Sequence, residues 1–263
     1  MSARLAGLTV LVPRAREQAG SLSRLLRERG AEPLEVPTIE IRPVADPGPL
    51  DRALGRLAAG AYAWLVLTSV NGVAAVRSRL PAAIPAGPPA WLGGARLAAV
   101  GPATEAALRD LDVRADLVPA VATTAALAAA FPPGAGEVLL ARADLAGRAL
   151  AAALAGKGWW PHEVVAYRTV PLRRLEPAAR RRLDAGEVDW VAFTASSTVA
   201  GFVRAYGALP PGVRVAAIGP VTAAAARSAG LRVDVAASEH TIPGLVAAIE
   251  RAAAGPSRSA APG

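Results

Sequence analysis

The sequence predicts an α/β fold in which a doubly wound parallel sheet is built twice. Three observations support this: short apolar runs alternate with helical segments, the chain contains an internal repeat, and polar residues follow the apolar runs. Continuous apolar runs of this length are typical of parallel strands that are buried on both faces. The predicted strands cover residues 8–12, 64–67, 96–100, 138–140, 190–193 and 213–218.

Amphipathic segments between these runs predict helices. Residues 17–29 place Leu22, Leu25 and Leu26 on one face at helical spacing, and Gly30 follows where a helix commonly ends. Residues 104–111 and 222–229 show a similar pattern. Because strands alternate with helices along the chain, we expect parallel sheets that are covered on both faces.

An internal repeat indicates that this unit occurs twice. Three segments recur: residues 9–15 as 137–143 at an offset of 128, 64–69 as 190–195 at 126, and 99–104 as 217–222 at 118. The offset falls by eight residues because the loop at 81–94 is longer in the first copy than its counterpart in the second. Loops accept such insertions at little energetic cost. Two copies predict two domains.

Composition excludes several classes of site. The chain of 263 residues has no cysteine and only two histidines, so neither thiolate chemistry nor a histidine-built metal site is expected. The net charge of +8 favours an anionic partner, although an arginine-rich genome would also produce it. The basic residues are scattered, which argues against nucleic-acid binding. Prolines interrupt the longest uncharged stretch, and no leader pattern is found, so we expect a cytoplasmic protein without a membrane span.

Polar residues follow the predicted strands at equivalent places in both copies. In open parallel sheets, ligands bind beyond the carboxyl ends of the strands, where helices begin with unpaired amide N–H groups. Such a set suits a ligand that carries several carboxylates. Alternatively, these residues are ordinary helix caps worth about 1 kcal/mol each, and a duplication would copy caps too. The residues are Arg14, Thr68, Ser69, Gly101, Thr104, Arg142, Thr194, Ser196, Ser197, Gly219 and Thr222.

Candidate acids and bases are few. Tyr167 lies in one of two extended segments, at 38–43 and 164–171, which we interpret as linkers between the domains. A tyrosine there could donate a proton to a leaving hydroxyl, or it could simply pack on a strand. His162 and His240 have no carboxylate at a telling spacing, and we expect them at the surface or in loops.

Several motifs together resemble the uroporphyrinogen-III synthase family. They occur in the family's order over about residues 8–250 and cover residues 10–14, 30–32, 67–73, 99–105, 164–169, 193–196, 217–222 and 241–245. The resemblance implies two flavodoxin-like domains, formed by residues 1–37 with 172–263 and by residues 44–163, joined by the two linkers around a cleft. The second copy departs from the family's usual Thr-Ser pair by reading Thr194-Ala195-Ser196, which shifts Ser196 by one position.

The resemblance also implies a reaction. Hydroxymethylbilane, the small-molecule substrate, would lose its hydroxyl as water and close into a ring with its last pyrrole inverted, without a cofactor or metal. Tyr167 matches the tyrosine proposed to assist loss of the hydroxyl, the strand-end residues match cleft-lining positions, and Arg14, Arg142 and Arg148 would bind carboxylates. We expect a monomer that makes at most transient contact with the preceding enzyme of the pathway.

A second hypothesis from another class is a non-catalytic, two-lobed regulatory protein that binds small anions. Both hypotheses predict a hinged cleft with donors at the strand ends. They differ at Tyr167, because its change to phenylalanine should slow a synthase and should hardly affect a binding protein.

Overall fold

The structure is a computed structural model that describes residues 4–80 and 90–254, so most of the predicted long loop at 81–94 lies outside the described residues. Its strands are β1 (Thr9–Val12), β2 (Glu32–Glu35), β3 (Ile39–Pro43), β4 (Tyr62–Leu67), β5 (Arg96–Ala99), β6 (Gly136–Ala143), β7 (Trp159–Pro171), β8 (Trp190–Phe193), β9 (Arg214–Ala217) and β10 (Val235–Ala236). Its α-helices are α1 (Arg16–Glu28), α2 (Gly48–Ala58), α3 (Val70–Arg77), α4 (Pro102–Arg109), α5 (Thr124–Ala130), α6 (Ala149–Ala155), α7 (Pro177–Asp184), α8 (Ser196–Ala205), α9 (Pro220–Ser228) and α10 (Ile242–Ala254).

The chain divides into two compact units. Unit 1 comprises Met1–Glu40 and Val170–Gly263, and unit 2 comprises Ile41–Thr169. The described strands form two sheets of five, in the orders β10-β9-β8-β1-β2 and β3-β7-β6-β4-β5. The paired strands of the first sheet run parallel, as do β4–β5, β4–β6 and β6–β7 of the second. The predicted α/β fold with parallel sheets is therefore confirmed.

In unit 1, alternate residues of each strand enter two separate hydrophobic clusters. Val10 and Val12 pack with residues of α1 and α10, whereas Leu11 packs with residues of α7, α8 and α9. Because successive side chains of a strand point to opposite faces, these clusters lie on the two faces of one sheet. Helices cover both faces, as the alternation of apolar runs and helices predicts.

Unit 2 is built in the same way. Leu65 and Leu67 of β4 pack with α2, α3 and α4, whereas Trp64 and Val66 pack with α5 and α6. Here too the sheet is buried between two helical layers. Within the described ranges, no helix is both long and apolar enough to span a membrane.

The two copies share contacts as well as sequence. Asp116 accepts a hydrogen bond from the Leu97 amide at 2.7 Å, and Asp234 accepts one from the Val215 amide at 2.9 Å. Each residue of the second pair lies 118 positions after its counterpart. The carboxylates tie the segments that follow α4 and α9 to the starts of β5 and β9, so the repeat extends to the local construction of the two sheets.

Candidate functional site

In unit 2, the carboxyl ends of β4 and β5 are level with each other and lie beside β6, which continues for two more residues. Leu67, the last residue of β4, is in register with Ala99 of β5 and with Ala141 of β6. Thr68 and Ser69 follow directly after β4, and Gly101 follows two residues after β5. The structure therefore brings Thr68, Ser69 and Gly101 to one edge of the sheet. Helices α3 and α4 begin at this edge with amide N–H groups that have no partner within the helix.

Ser69 connects this edge to Tyr167. Its side chain caps α3 by accepting a hydrogen bond from the Gly72 amide at 3.0 Å. Its Oγ also lies 2.8 Å from the hydroxyl of Tyr167, with either oxygen able to donate. Tyr167 belongs to β7 and is only 8% exposed. A buried phenol thus meets a helix-capping hydroxyl at the strand ends.

Tyr167 also forms part of the wall of a pocket of about 440 Å³ within unit 2. Apolar side chains make up most of the wall, and two arginines add positive charge. One of them, Arg79, is paired with Asp51, whose two carboxylate oxygens each accept a bond at 2.6 Å. The lining residues are Ile41, Arg42, Pro43, Val44, Pro47, Leu50, Asn71, Ala74, Ala75, Ser78, Arg79, Ala166 and Tyr167.

Arg142 and Arg148 lie at the end of β6 and at the start of α6. Arg142 is only 5% exposed and donates to a carboxylate oxygen of Glu163 at 2.5 Å and to the Gly147 carbonyl. These bonds neutralise its charge inside the unit and fix the loop after β6. Arg148 is exposed and occupies the N-cap position of α6. Their predicted contact with carboxylates of the substrate remains a prediction, and the geometry at Arg142 favours a structural role.

Unit 1 presents a matching edge. Phe193, the last residue of β8, is in register with Ala217, the last residue of β9, so Thr194 and Gly219 lie close to the same level. Thr194 and Ser197 are half-buried, and Ser196 is exposed at the first position of α8. The predicted residues thus gather at the carboxyl ends of β8 and β9.

Thr104 and Thr222, predicted as donors in α4 and α9, are almost fully buried, at 3% and 5% exposure. Each lies in the first turn of its helix, after an extended glycine and a proline. This burial fits packing of the first turn. The N-cap positions are held by Gly101 and Gly219, so neither threonine is the ordinary helix cap that was the alternative. Contact between either threonine and the substrate remains a prediction.

Arg14 follows β1 and is half-buried. Burial lowers the pKa of its guanidinium from the ordinary value, because removing this group from contact with water disfavours its charged form. Among the residues that the structure describes, no hydrogen-bond or ion-pair partner of Arg14 is found. Its counterpart in the repeat is Arg142, which is paired. The two arginines therefore occupy equivalent positions and have different surroundings.

His240 was expected at the surface or in a loop, and it has a defined contact. A Cβ atom added to Gly219 would lie 2.8 Å from the Cδ2 atom of His240, so the half-buried ring covers this glycine. In the first copy, the methyl group of Ala122 covers Gly101 in the same way. The repeat contains a signal for this contact, because His240 lies 118 residues after Ala122 and Gly219 lies 118 residues after Gly101.

The expectation for His162 was wrong. It lies within β7, is half-buried, and its Nδ1 atom is 2.5 Å from the hydroxyl of Tyr62. It therefore belongs to the packing of unit 2. In residues 4–80 and 90–254, no cluster of three or more acidic or histidine side chains is arranged to hold a metal ion.

Comparisons with known proteins identify the family that this chain resembles. The model of the family described as uroporphyrinogen-III synthase HemD matches residues 20–247. The uroporphyrinogen-III synthase of Synechococcus elongatus is 34% identical over 259 residues, covering 94% of this chain and 96% of the relative. That of Chlorobaculum parvum is 31% identical over 251 residues, covering 93% and 98%.

A likeness to a solved structure supports the fold alone. The crystal structure of a mutant uroporphyrinogen III synthase from Thermus thermophilus superposes with a TM-score of 0.64 at 24% identity, covering 93% of this chain and 98% of that chain. Together with the family match over residues 20–247 and the two relatives above 30% identity, the comparisons show that this chain belongs to the uroporphyrinogen-III synthase family.

Proposed function

We propose that the chain cyclises hydroxymethylbilane to uroporphyrinogen III, with inversion of the last pyrrole and loss of water. The observation that carries this proposal is the pair of hydroxyls of Tyr167 and Ser69, which lies at the strand ends of unit 2 beside the pocket. In support, the phenol of Tyr167 borders a space of about 440 Å³, a size that can accept a pyrrole ring. The activity requires orientation and shielding of a reactive cation more than a strong nucleophile.

Tyr167 acts as the general acid. Its phenol donates a proton to the hydroxymethyl oxygen, the C–O bond breaks, and water leaves. The ring that carried the hydroxymethyl group, at the opposite end from the last pyrrole, becomes an azafulvene cation. Tyr167 is only 8% exposed, so its side chain is largely shielded from bulk water. The azafulvene carbon then attacks the substituted position of the last pyrrole, and the spiro intermediate breaks and recloses with that ring inverted.

The substrate's carboxylates are held by donors at the strand ends. Amide N–H groups at the starts of α3, α4, α8 and α9 carry the partial positive charge of a helix N-terminus. The hydroxyls of Thr68, Thr194, Ser196 and Ser197 and the glycines Gly101 and Gly219 lie at these starts. Of the three predicted arginines, Arg14 is the best placed to bind a carboxylate, because it has lost hydration without gaining a described partner.

We also propose the domain organisation that the family resemblance implies. Residues 1–37 with 172–263 and residues 44–163 form two flavodoxin-like domains, joined by the segments 38–43 and 164–171. In support, the sheet of unit 1, numbered within the unit, has the order 2-1-3-4-5 that is typical of flavodoxin. The chain acts as a cytoplasmic monomer, and a transient contact with the enzyme that supplies hydroxymethylbilane would shorten the exposure of this unstable substrate.

The proposal is tested by supplying hydroxymethylbilane and separating the type I and type III products. Wild-type chain should form the type III ring, whereas spontaneous closure gives type I. Tyr167→Phe should lower kcat by roughly 100-fold or more, the usual scale for loss of a general acid. The control is Tyr206→Phe, which removes a hydroxyl bonded to Asp184 in unit 1. Type I product alone, formed at the spontaneous rate, would reject the synthase and favour the anion-binding regulator.

A further inference from the structure

The hydroxyls of Ser69 and Tyr167 lie 2.8 Å apart, and either oxygen is able to donate the hydrogen. We infer that Ser69 is the positioning residue of the reaction, and that its hydroxyl donates to the phenol oxygen of Tyr167 so that the phenol proton faces the substrate. This inference rests on the proposed function and assigns a role to a residue that the sequence marks only as a general cleft-lining donor.

The need for a free acid proton selects this direction. The Oγ atom of Ser69 accepts the Gly72 amide hydrogen at 3.0 Å and keeps one hydrogen to donate and one lone pair to accept. The Tyr167 oxygen, 2.8 Å away, is able to accept that hydrogen. If Tyr167 instead donated to Ser69, its proton would be held by the serine and would not be available to the leaving hydroxyl.

The same bond stabilises the charge that the step creates. When the O–H bond of Tyr167 breaks and its proton joins the leaving oxygen as water, the phenol oxygen becomes an anion. Hydrogen bonds to charged oxygens are roughly twice as strong as neutral ones, and more so where water is excluded. The phenolate regains a proton from the pyrrole carbon that closes the ring, so the net reaction releases only water.

The second copy shows that the fold does not need this bond. At an offset of 126, the position of Ser69 is held by Ala195, and at an offset of 128, the position of Tyr167 is held by Ile39. The N-cap residues adopt nearly the same backbone, with φ −165° and ψ 158° at Ser69 and φ −160° and ψ 155° at Ala195. Helix α8 nevertheless begins without a side-chain cap. The serine side chain is therefore dispensable for starting a helix at this corner of an α/β unit.

The test is a double-mutant cycle with hydroxymethylbilane as substrate. Ser69→Ala should lower kcat by about 100-fold, the scale for removing one donor to a developing oxyanion, and should leave KM nearly unchanged. Ser69→Thr keeps the hydroxyl and should restore most of kcat. In a Tyr167→Phe background, Ser69→Ala should have no further effect on kcat, because the serine acts only through the phenol.

The loss of the helix cap needs its own control. Thr123 caps α5 in the same unit by accepting from the Ala126 amide at 3.0 Å, the same bond that Ser69 makes to Gly72. Thr123→Ala should lower thermal stability by an amount similar to Ser69→Ala and should leave kcat unchanged.

Three outcomes overturn the inference. The first is an unchanged kcat in Ser69→Ala, and the second is an equal fold-reduction in kcat when Ser69→Ala is made in the wild-type and in the Tyr167→Phe backgrounds. The third is a folded Ser69→Thr variant that is as slow as Ser69→Ala. A wild-type chain that forms no type III product would instead reject the proposed function, so the two failures are distinguishable.

Discussion

Arg14 and Arg142 occupy equivalent positions in the two copies, and we expect opposite consequences when each is replaced by methionine. Methionine keeps an unbranched side chain of moderate length and removes the charge and all five N–H donors. The structure pairs Arg142 with Glu163 and with a main-chain carbonyl, whereas Arg14 has no partner within the described ranges. Arg142→Met should therefore act on stability, and Arg14→Met on substrate binding.

The expected magnitudes follow from these contacts. Arg142→Met leaves the Gly147 carbonyl and the Glu163 carboxylate without their donor, and since Glu163 is 40% exposed we discount its share. The free energy of unfolding should fall by about 1–3 kcal/mol. Arg14→Met removes a desolvated charge and should change stability by less than about 0.5 kcal/mol. A charge-assisted bond to a carboxylate is worth about 1.5–3 kcal/mol, so KM should rise roughly 10- to 100-fold.

The assay combines thermal unfolding with steady-state kinetics on hydroxymethylbilane. Arg142→Met should lower Tm by several degrees at nearly unchanged KM, and Arg14→Met should raise KM at nearly unchanged Tm. The reasoning is refuted if Arg14→Met destabilises the chain as much as Arg142→Met, or if KM rises equally in both. Either result would mean that the difference in surroundings has no functional meaning.

Three further predictions concern stability. Thr38→Val removes a buried hydroxyl that bonds two main-chain carbonyls of unit 1 at 3.0 and 3.2 Å, so the free energy of unfolding should fall by about 1–3 kcal/mol in denaturant titrations; an unchanged midpoint would contradict this. His240→Ala recreates the arrangement at Ala122 and should leave Tm within a degree or two, whereas a large loss would show that the ring is needed for packing. Desolvation and the hydrogen bond with Asp184 raise the pKa of Tyr206 from 10.0 to about 12, so the free energy of unfolding should fall as pH rises through this range. Tyr206→Phe should make the free energy of unfolding depend less on pH between 10 and 12, and an unchanged pH dependence would refute the assignment.

The interior strands were predictable because burial dictates their composition. Interior parallel strands covered on both faces must be apolar throughout, so β1, β4, β6, β8 and β9 stand out as short continuous runs. The edge strand β2, with sequence EPLE, was absent from the predicted strands, because one side of an edge strand faces solvent and tolerates both charge and proline. The edge strand β10 has only two residues, too few for any pattern.

Pairing of side chains was less predictable than their position. The strand ends were predicted as the site because the topology fixes where helices begin, but the contact between Ser69 and Tyr167 joins residues 98 positions apart. The difference between Arg14 and Arg142 was also hidden, since both follow a strand and both have a glutamate 21 residues later. Glu163 reaches Arg142, whereas Glu35 lies 3.6 Å from Arg27 instead. Only the packed side chains decide which cation each carboxylate meets.

Because the chain contains two copies of one unit, comparing equivalent positions separates contacts that the fold requires from contacts that serve the activity. Where both copies keep a contact, as with the aspartates that bond the starts of β5 and β9, the fold alone explains it. Where one copy keeps a polar group and the other replaces it with an apolar residue on nearly the same backbone, the fold cannot be the reason. Ser69 corresponds to Ala195 on nearly the same backbone, and by the repeat offsets alone Tyr167 corresponds to Ile39 and His240 to Ala122. Burying a polar group costs free energy unless the group is hydrogen-bonded. We therefore expect that the polar residues at these divergent positions were selected for a part in the reaction.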